Sequence, residues 1–322
     1  MTGRTIAKTI ITKDPTVAIV GAGSLASSLA LALHEAGFKI TEIVARNAPP
    51  SLRKARALAA RVGARAVTAN SAALDASLLW FCVPDREIRG AASALAASLT
   101  ARTPANHKSG VRCKVQNIVQ KKAQKKVRNN VRFALHSSGA LPSRELDPLR
   151  QAGLAVASVH PLMTFVADSR PSLQGVPFAI EGDDAATRVA RHIVRQLGGE
   201  SFHLPAPRKA AYHAWATMTS PLLLAFLVTL EDAASAAGFT RNDARRQSLP
   251  IIRQTLANYA RLGPARSFSG PLVRGDAATV AQHLAALKKH PGACEVYLAL
   301  AQSALRNLPV KNREKLKRLL RA

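Results

Sequence analysis

The sequence predicts an α/β fold: a mostly parallel sheet covered by helices, followed by an all-helical C-terminal domain. Three observations carry this. A short β-branched run, Thr16 to Val20, feeds a glycine turn and then an Ala/Leu-rich helix at the head of the chain. Further apolar runs recur after it, at Ile40 to Ala45, Leu78 to Phe81, Phe133 to Leu135, Val156 to Val159, Phe178 to Ile180 and Phe202 to Leu204, with a helical stretch from about Ala185 to Leu197. After Pro205 the pattern turns almost purely helical, which sets a domain boundary there. Residues 1–205 are expected to form the sheet domain and 206–322 a helical substrate or dimerisation domain.

The first element is the most specific. The strand enters Gly21-Ala22-Gly23-Ser24-Leu25-Ala26, and Ser27 to Ala36 reads as a helix ending at Gly37. Strand, glycine turn and helix in this order form the start of a Rossmann-type βαβ unit. Gly21 permits the tight turn, Gly23 lets a pyrophosphate approach the backbone, and the small Ala26 allows close packing of helix on strand. Unpaired N–H groups at the helix start favour an anion. Residues Gly21, Gly23, Ser24, Leu25 and Ala26 are therefore expected to hold a dinucleotide.

At the end of the second strand, where an NAD enzyme places an acid on the ribose, stand Arg46 and Asn47, followed by Ser51, Arg53 and Lys54. An arginine suits a 2′-phosphate, so NADP is the expected cofactor. The next three runs end alike. Phe81 enters Cys82-Val83-Pro84-Asp85, Leu135 enters His136-Ser137-Ser138-Gly139, and Val159 enters His160-Pro161. Ligands of an open parallel sheet sit beyond the carboxyl ends of its strands. Val83, Pro84, Ser137 and Ser138 are thus expected beside the cofactor, with His136 and His160 near the reacting centre.

In the helical part, Lys209, Tyr212, His213, Thr217 and Ser220 recur at spacings of three and four, on one face of a helix beginning near Arg208. Lys209 and His213, one turn apart, are the expected acid/base pair, with His136 and His160 as rivals and Tyr212 at the substrate. For each histidine the alternative is a hydrogen-bonded core residue. Further on, Arg274 is expected to anchor a substrate carboxylate with Asp276 beside it, against the alternative that Asp276 caps a helix.

Ala210 to Leu230 carries no charge and is long enough to cross a bilayer. Its Tyr212, His213, Thr217, Thr219, Ser220 and Pro221 favour instead a buried helix lining a polar site, and no membrane contact is expected.

Composition bounds the rest. With 322 residues, 48% hydrophobic but only 4% aromatic, the chain has material for two cores built of Ala, Leu, Val and Ile. Cys82, Cys113 and Cys294 show no ligand or disulfide spacing, which fits a reducing cytoplasm. The opening MTGRTIAKTIITKD lacks the apolar core of a secretory signal and reads as an unstructured lead-in. The net charge of +27 is partly local, since ten Lys or Arg and no acid lie between Arg102 and Arg132. Val115, Ile118, Val119, Ala123 and Val127 recur there at helical spacing. The run reads as a solvated insertion, or as a basic amphipathic helix for nucleic acid or an acidic partner. No G-x-S-x-G, H-E-x-x-H or Walker motif is present, and no metal is expected.

Taken together, GAGSLA, CVPD, HSSGAL, SVHPLMTF, PFAIEGD, KAAYHAWATMTS and SGPLVRGD resemble an uncharacterised bacterial family. That family joins a Rossmann-like NADP-binding domain to a helical C-terminal domain of unknown function. The resemblance spans roughly residues 15–306. More distantly, the layout is similar to the 6-phosphogluconate dehydrogenase, pyrroline-5-carboxylate reductase and ketopantoate reductase group. The resemblance implies catalytic side chains on the helix after the sheet and a homodimer made by the helical domain.

Two features depart from the family pattern: Ser220-Pro221 stands where Ser-Asn is usual, and the basic insertion is additional. The expected activity is NADP-dependent hydride transfer to or from a small carbonyl or imine compound. The rival, from another class, is a non-catalytic NADP-binding sensor or scaffold that engages a partner through its basic insertion.

Overall fold

The computed structural model describes residues 14–101, 132–167 and 169–321. The lead-in up to residue 13, Cys113 and the expected basic helix lie outside the described residues. Contacts divide the chain into two compact units, Met1–Ala216 and Thr217–Ala322.

The first unit is built on an eight-stranded sheet in the order β3-β2-β1-β4-β5-β6-β7-β8. Its strands are β1 (Val17–Val20), β2 (Ile40–Ala45), β3 (Arg65–Thr68), β4 (Leu78–Phe81), β5 (Phe133–His136), β6 (Ala155–Pro161), β7 (Pro177–Gly182) and β8 (Glu200–His203). Every neighbouring pair is parallel except β6 and β7. The strand absent from the sequence reading is β3. It is short, lies at the sheet edge and has no fully buried residue, so no apolar alternation marks it.

Strands β1 and β4 are buried at every position, as a parallel sheet covered on both faces requires. One face is covered by α1 (Ser24–Glu35), α2 (Pro49–Val62) and α4 (Asp184–Gln196), whose Leu29, Leu33, Leu58, Val189 and Ile193 join one apolar cluster. The opposite face carries α3 (Asp85–Ala101) and the short helical turns of residues 143–151, through Ile88, Leu95, Leu146 and Leu149. Helix α2 starts on Pro49 and stops at Gly63, the usual placement of these two residues. A buried carboxylate, Glu42, ties β2 to the edge by accepting from Arg65 Nη2 (2.9 Å) and the backbone N–H groups of Ala73 and Leu74.

The expected boundary at Pro205 moves into the following helix, α5 (Lys209–Thr219). Its first turns belong to the sheet unit because Lys209 and Tyr212 are buried there. Residues Ala206–Ser235 are long and apolar enough to cross a membrane by length and composition alone. The expected continuous buried helix is not what the structure shows. Pro221, which cannot donate to the preceding turn, starts a separate helix, α6 (Pro221–Ser235), and most of the stretch is exposed in the single chain.

In the second unit α6 packs with α7 (Arg241–Leu262), pinned by a two-bond ion pair from Arg245 to Glu231 (2.7 and 3.1 Å). Helices α8 (Ala277–Leu287), α9 (Pro291–Asn307) and α10 (Arg313–Leu319) close around a small cluster of Val280, Ala301, Leu305, Leu316 and Leu320.

Candidate active site

The parallel strands β1, β4, β5 and β6 end on the same edge of the sheet, so the segments that follow them form one site. At β1 the backbone turns through Gly21 with φ +118°, where a Cβ would stand 2.5 Å from the Cys82 carbonyl oxygen. Only glycine fits. Gly23 meets nothing within 4 Å of an added Cβ, so the space before it is open. Among the described residues no side chain caps α1, and no acid lies in its first turn, which leaves its N-terminal N–H groups to an anion. Ala26, wholly buried, lets the helix lie close on the strand, while Leu25 packs on the core and Ser24 borders a cavity of about 510 Å³.

A larger cavity of about 680 Å³ runs from Gly21 and Gly23 past Val83 and Pro84 to Arg46, Ser51 and Lys54. Its apolar side, with Val83, Pro84, Ala91 and Leu95, fits a flat base. The cations at its far end fit a phosphorylated ribose. On these observations the residues present fit a dinucleotide such as NADP. Arg46, 70% exposed, is already paired: its Nη1 lies 3.1 Å from Glu87 Oε1.

At β5, His136 is wholly buried, and both its nitrogens are committed to backbone. The Ser138 N–H donates to Nδ1 (3.1 Å), which leaves the hydrogen on Nε2 to be donated to the Pro142 carbonyl (3.0 Å). Burial, with the nearby Lys209 cation, pushes the imidazole down to about 3. The hydroxyls expected beside the cofactor are engaged within the protein, one by β4 and one by the loop itself. Ser137 Oγ accepts from Trp80 Nε1 (2.9 Å), and Ser138 Oγ accepts from Ala140 and Leu141 N–H.

Lys209 is buried as well, at 1% exposure. Its ammonium donates to the Ser138 carbonyl (3.1 Å) and Ser158 Oγ (2.7 Å). Burial pushes it down to about 8, against the carboxylates of Glu181 and Asp85, which favour the charged form. Glu181 is held in turn by the Ser143 N–H and hydroxyl.

His160, at the end of β6, is half-buried, and burial pushes it down to about 4 with Lys209 and His213 adding to the effect. Its Nδ1 pairs with the Tyr212 hydroxyl at 2.9 Å, whose own ionisation burial pushes up to about 12. Its Nε2 faces Gly139. A Cβ there would stand 2.8 Å from His160 Nε2 and 2.7 Å from His213 Cδ2, and the two rings meet edge-on with centroids 6.2 Å apart.

The structure thus brings together four of the expected residues, Lys209, Tyr212, His213 and His160, with His136 behind them. Ser158, Glu181 and Gly139 complete the arrangement; each stands inside a run that the sequence marks (SVHPLMTF, PFAIEGD and HSSGAL), but its role depends on partners elsewhere in the chain. Arg274 and Asp276 belong to the second unit. There Asp276 caps α8 by accepting from the Thr279 N–H (3.0 Å) and hydroxyl (2.6 Å), the role held as its alternative.

Residues 16–103 match the family described as NADP oxidoreductase coenzyme F420-dependent, and residues 176–304 match DUF2520, a domain of unknown function. The chain joins an NADP oxidoreductase domain to this domain of unknown function. No curated protein matches it. Among solved structures, it is similar to a protein described as an NADP oxidoreductase from Bacteroides fragilis, at 19% identity over 90% of this chain and 97% of that one, with a TM-score of 0.67. A pyrroline-5-carboxylate reductase from Coxiella burnetii has 12% identity over 90% and 98%, with a TM-score of 0.53. A reductive aminase from Aspergillus terreus, solved with NADPH and ethyl-5-oxohexanoate, has 12% identity over 95% and 100%, with a TM-score of 0.58. At these identities the likeness shows the fold. The oxidoreductase domain's family is an NADP family, in line with Arg46 at the end of β2.

Proposed function

We propose that this chain is an NADPH-dependent reductase of a small imine or carbonyl compound. The observation that carries the reading is the cluster at the ends of β5 and β6, where the His160 and His213 rings close on Gly139 and Lys209 donates to the preceding Ser138 carbonyl, on the sheet edge that also bears the glycine turn. The chain's likeness to a pyrroline-5-carboxylate reductase and to a reductive aminase solved with ethyl-5-oxohexanoate is consistent with it.

When bound, NADPH supplies the hydride. Gly21, Gly23 and the first turn of α1 would hold its pyrophosphate, with Arg46 and Lys54 at the ribose phosphate. With the Tyr212 hydroxyl donating to Nδ1, His160 keeps its hydrogen on Nε2 and presents it to the substrate nitrogen or oxygen. A neutral imidazole acts well in this role. Lys209 contributes fixed positive charge behind the Ser138 carbonyl as negative charge builds on that atom. His213, half-exposed, gives the proton that the reduced nitrogen or oxygen acquires and recovers it from solvent. His136 holds the 136–142 loop and takes no part in proton transfer.

A homodimer through the helical unit belongs to the same reading. It is supported by the exposed Leu222, Leu224, Val228, Ile251, Leu256 and Tyr259 on α6 and α7. A fluorescence titration with NADPH and NADH, followed by NADPH consumption against a panel of cyclic imines and keto acids, tests the reading. Binding of neither nucleotide would end it.

A further inference from the structure

The far end of the 680 Å³ cavity holds features that usually belong to two different kinds of enzyme. An NADP site offers an arginine to the 2′-phosphate, and an NAD site offers a carboxylate to the 2′-hydroxyl. Here Arg46 stands at the end of β2 in the NADP position, and Glu87, from the first turn of α3, reaches the same place. Their side chains meet at 3.1 Å, with Glu87 only 23% exposed. Among the described residues, Glu87 is the one carboxylate lining that cavity, and Lys54 is its other cation.

We infer that Glu87 is a specificity-determining residue that holds back the preference for NADPH and lets the site also accept NADH. The inference rests on the dinucleotide reading above. A 2′-phosphate carries about two negative charges and must compete with the Glu87 carboxylate for the Arg46 guanidinium. A 2′-hydroxyl does not compete, because it can donate to Glu87 while the ion pair persists. Lys54, which has no ion-pair partner among the described residues, is then the cation that a 2′-phosphate meets uncompensated. Glu87 also lies in the first turn of α3, where an acid favours the helix. That structural role would leave the choice between two nucleotides unmoved.

The test is direct binding, by fluorescence or calorimetry, of NADPH and NADH to the full chain and to Glu87→Gln and Glu87→Asp, at low salt and again near 1 M salt. The expected result for Glu87→Gln is a ratio of NADPH to NADH affinity raised about fivefold at low salt. This is the scale of one partly exposed charge interaction, and it should fade near 1 M salt as screening sets in. Glu87→Asp, which keeps the charge, should stay near the original ratio. A Glu87→Gln chain that binds both nucleotides with an unchanged ratio would overturn the inference and leave the reductase reading standing. If the unsubstituted chain bound neither nucleotide, both would fall together.

Discussion

His136 and His160 stand at the ends of neighbouring strands, both buried enough to be neutral near pH 7, yet their surroundings assign them opposite tasks. Backbone groups on either side use up both nitrogens of His136. His160 has one nitrogen fixed by Tyr212 and the other turned toward Gly139, beside His213. A histidine at a strand end is therefore no evidence of catalysis by itself. What matters is whether a nitrogen is left over once the backbone has been served.

The largest expected effect follows from His136. His136→Phe leaves the Ser138 N–H and the Pro142 carbonyl buried without partners. It should cost about 3 kcal/mol of stability, a large share of the usual ~5–15 kcal/mol, measured by denaturant unfolding. His160→Gln should leave stability nearly as it was and lower kcat instead. If the two substitutions shifted stability equally, the comparison would break.

Next comes Gly139→Ala. A methyl group there must displace the His160 and His213 rings, and misplacement on that scale lowers turnover about a hundredfold. NADPH affinity should hold, since the glycine turn at β1 is untouched. Steady-state kinetics beside a binding titration would separate the two.

The acid limb of stability sharpens the contrast further. Both imidazoles have folded values below the ordinary 6.5, so the unfolded chain binds more protons as pH falls. Their stabilisation is complete above pH 6.5 and is lost on acidification, down to about pH 4 for His160 and about pH 3 for His136. His160→Gln should flatten the loss between pH 6.5 and 4 and leave the part below 4 unchanged, as seen in melting points across that range. The smallest effect is expected of Tyr212→Phe, which removes one hydrogen bond worth about 1 kcal/mol and frees His160 to choose its tautomer.

The sheet was legible because its signals are local. Val17–Val20, Leu78–Phe81 and the glycine turn each declare themselves within a few residues, and the strand-end loops follow from topology. Edge strand β3 was not, for want of buried residues. Within the site, the stripe of Lys209, Tyr212 and His213 was visible as helical spacing. Its meaning was not, because Lys209 meets the Ser138 carbonyl across 71 residues and Ser158 across 51. A separation of 38 residues hid the pairing of Glu181 with Ser143 in the same way. The apolar stretch 210–230 read as buried because hydropathy reports the need for burial without saying what supplies it.

On the reductase reading His160, His213 and Lys209 reduce a substrate rather than merely line a nucleotide-binding protein. The most direct test follows NADPH consumption by the unsubstituted chain and by Lys209→Met against a panel of small imines and keto acids, with NADPH affinity measured for both. Turnover by the first, a loss of at least a hundredfold in the second, and NADPH affinity within about threefold between them are expected. Tight NADPH binding with no consumption of any compound, or equal turnover by both chains, would contradict this reading.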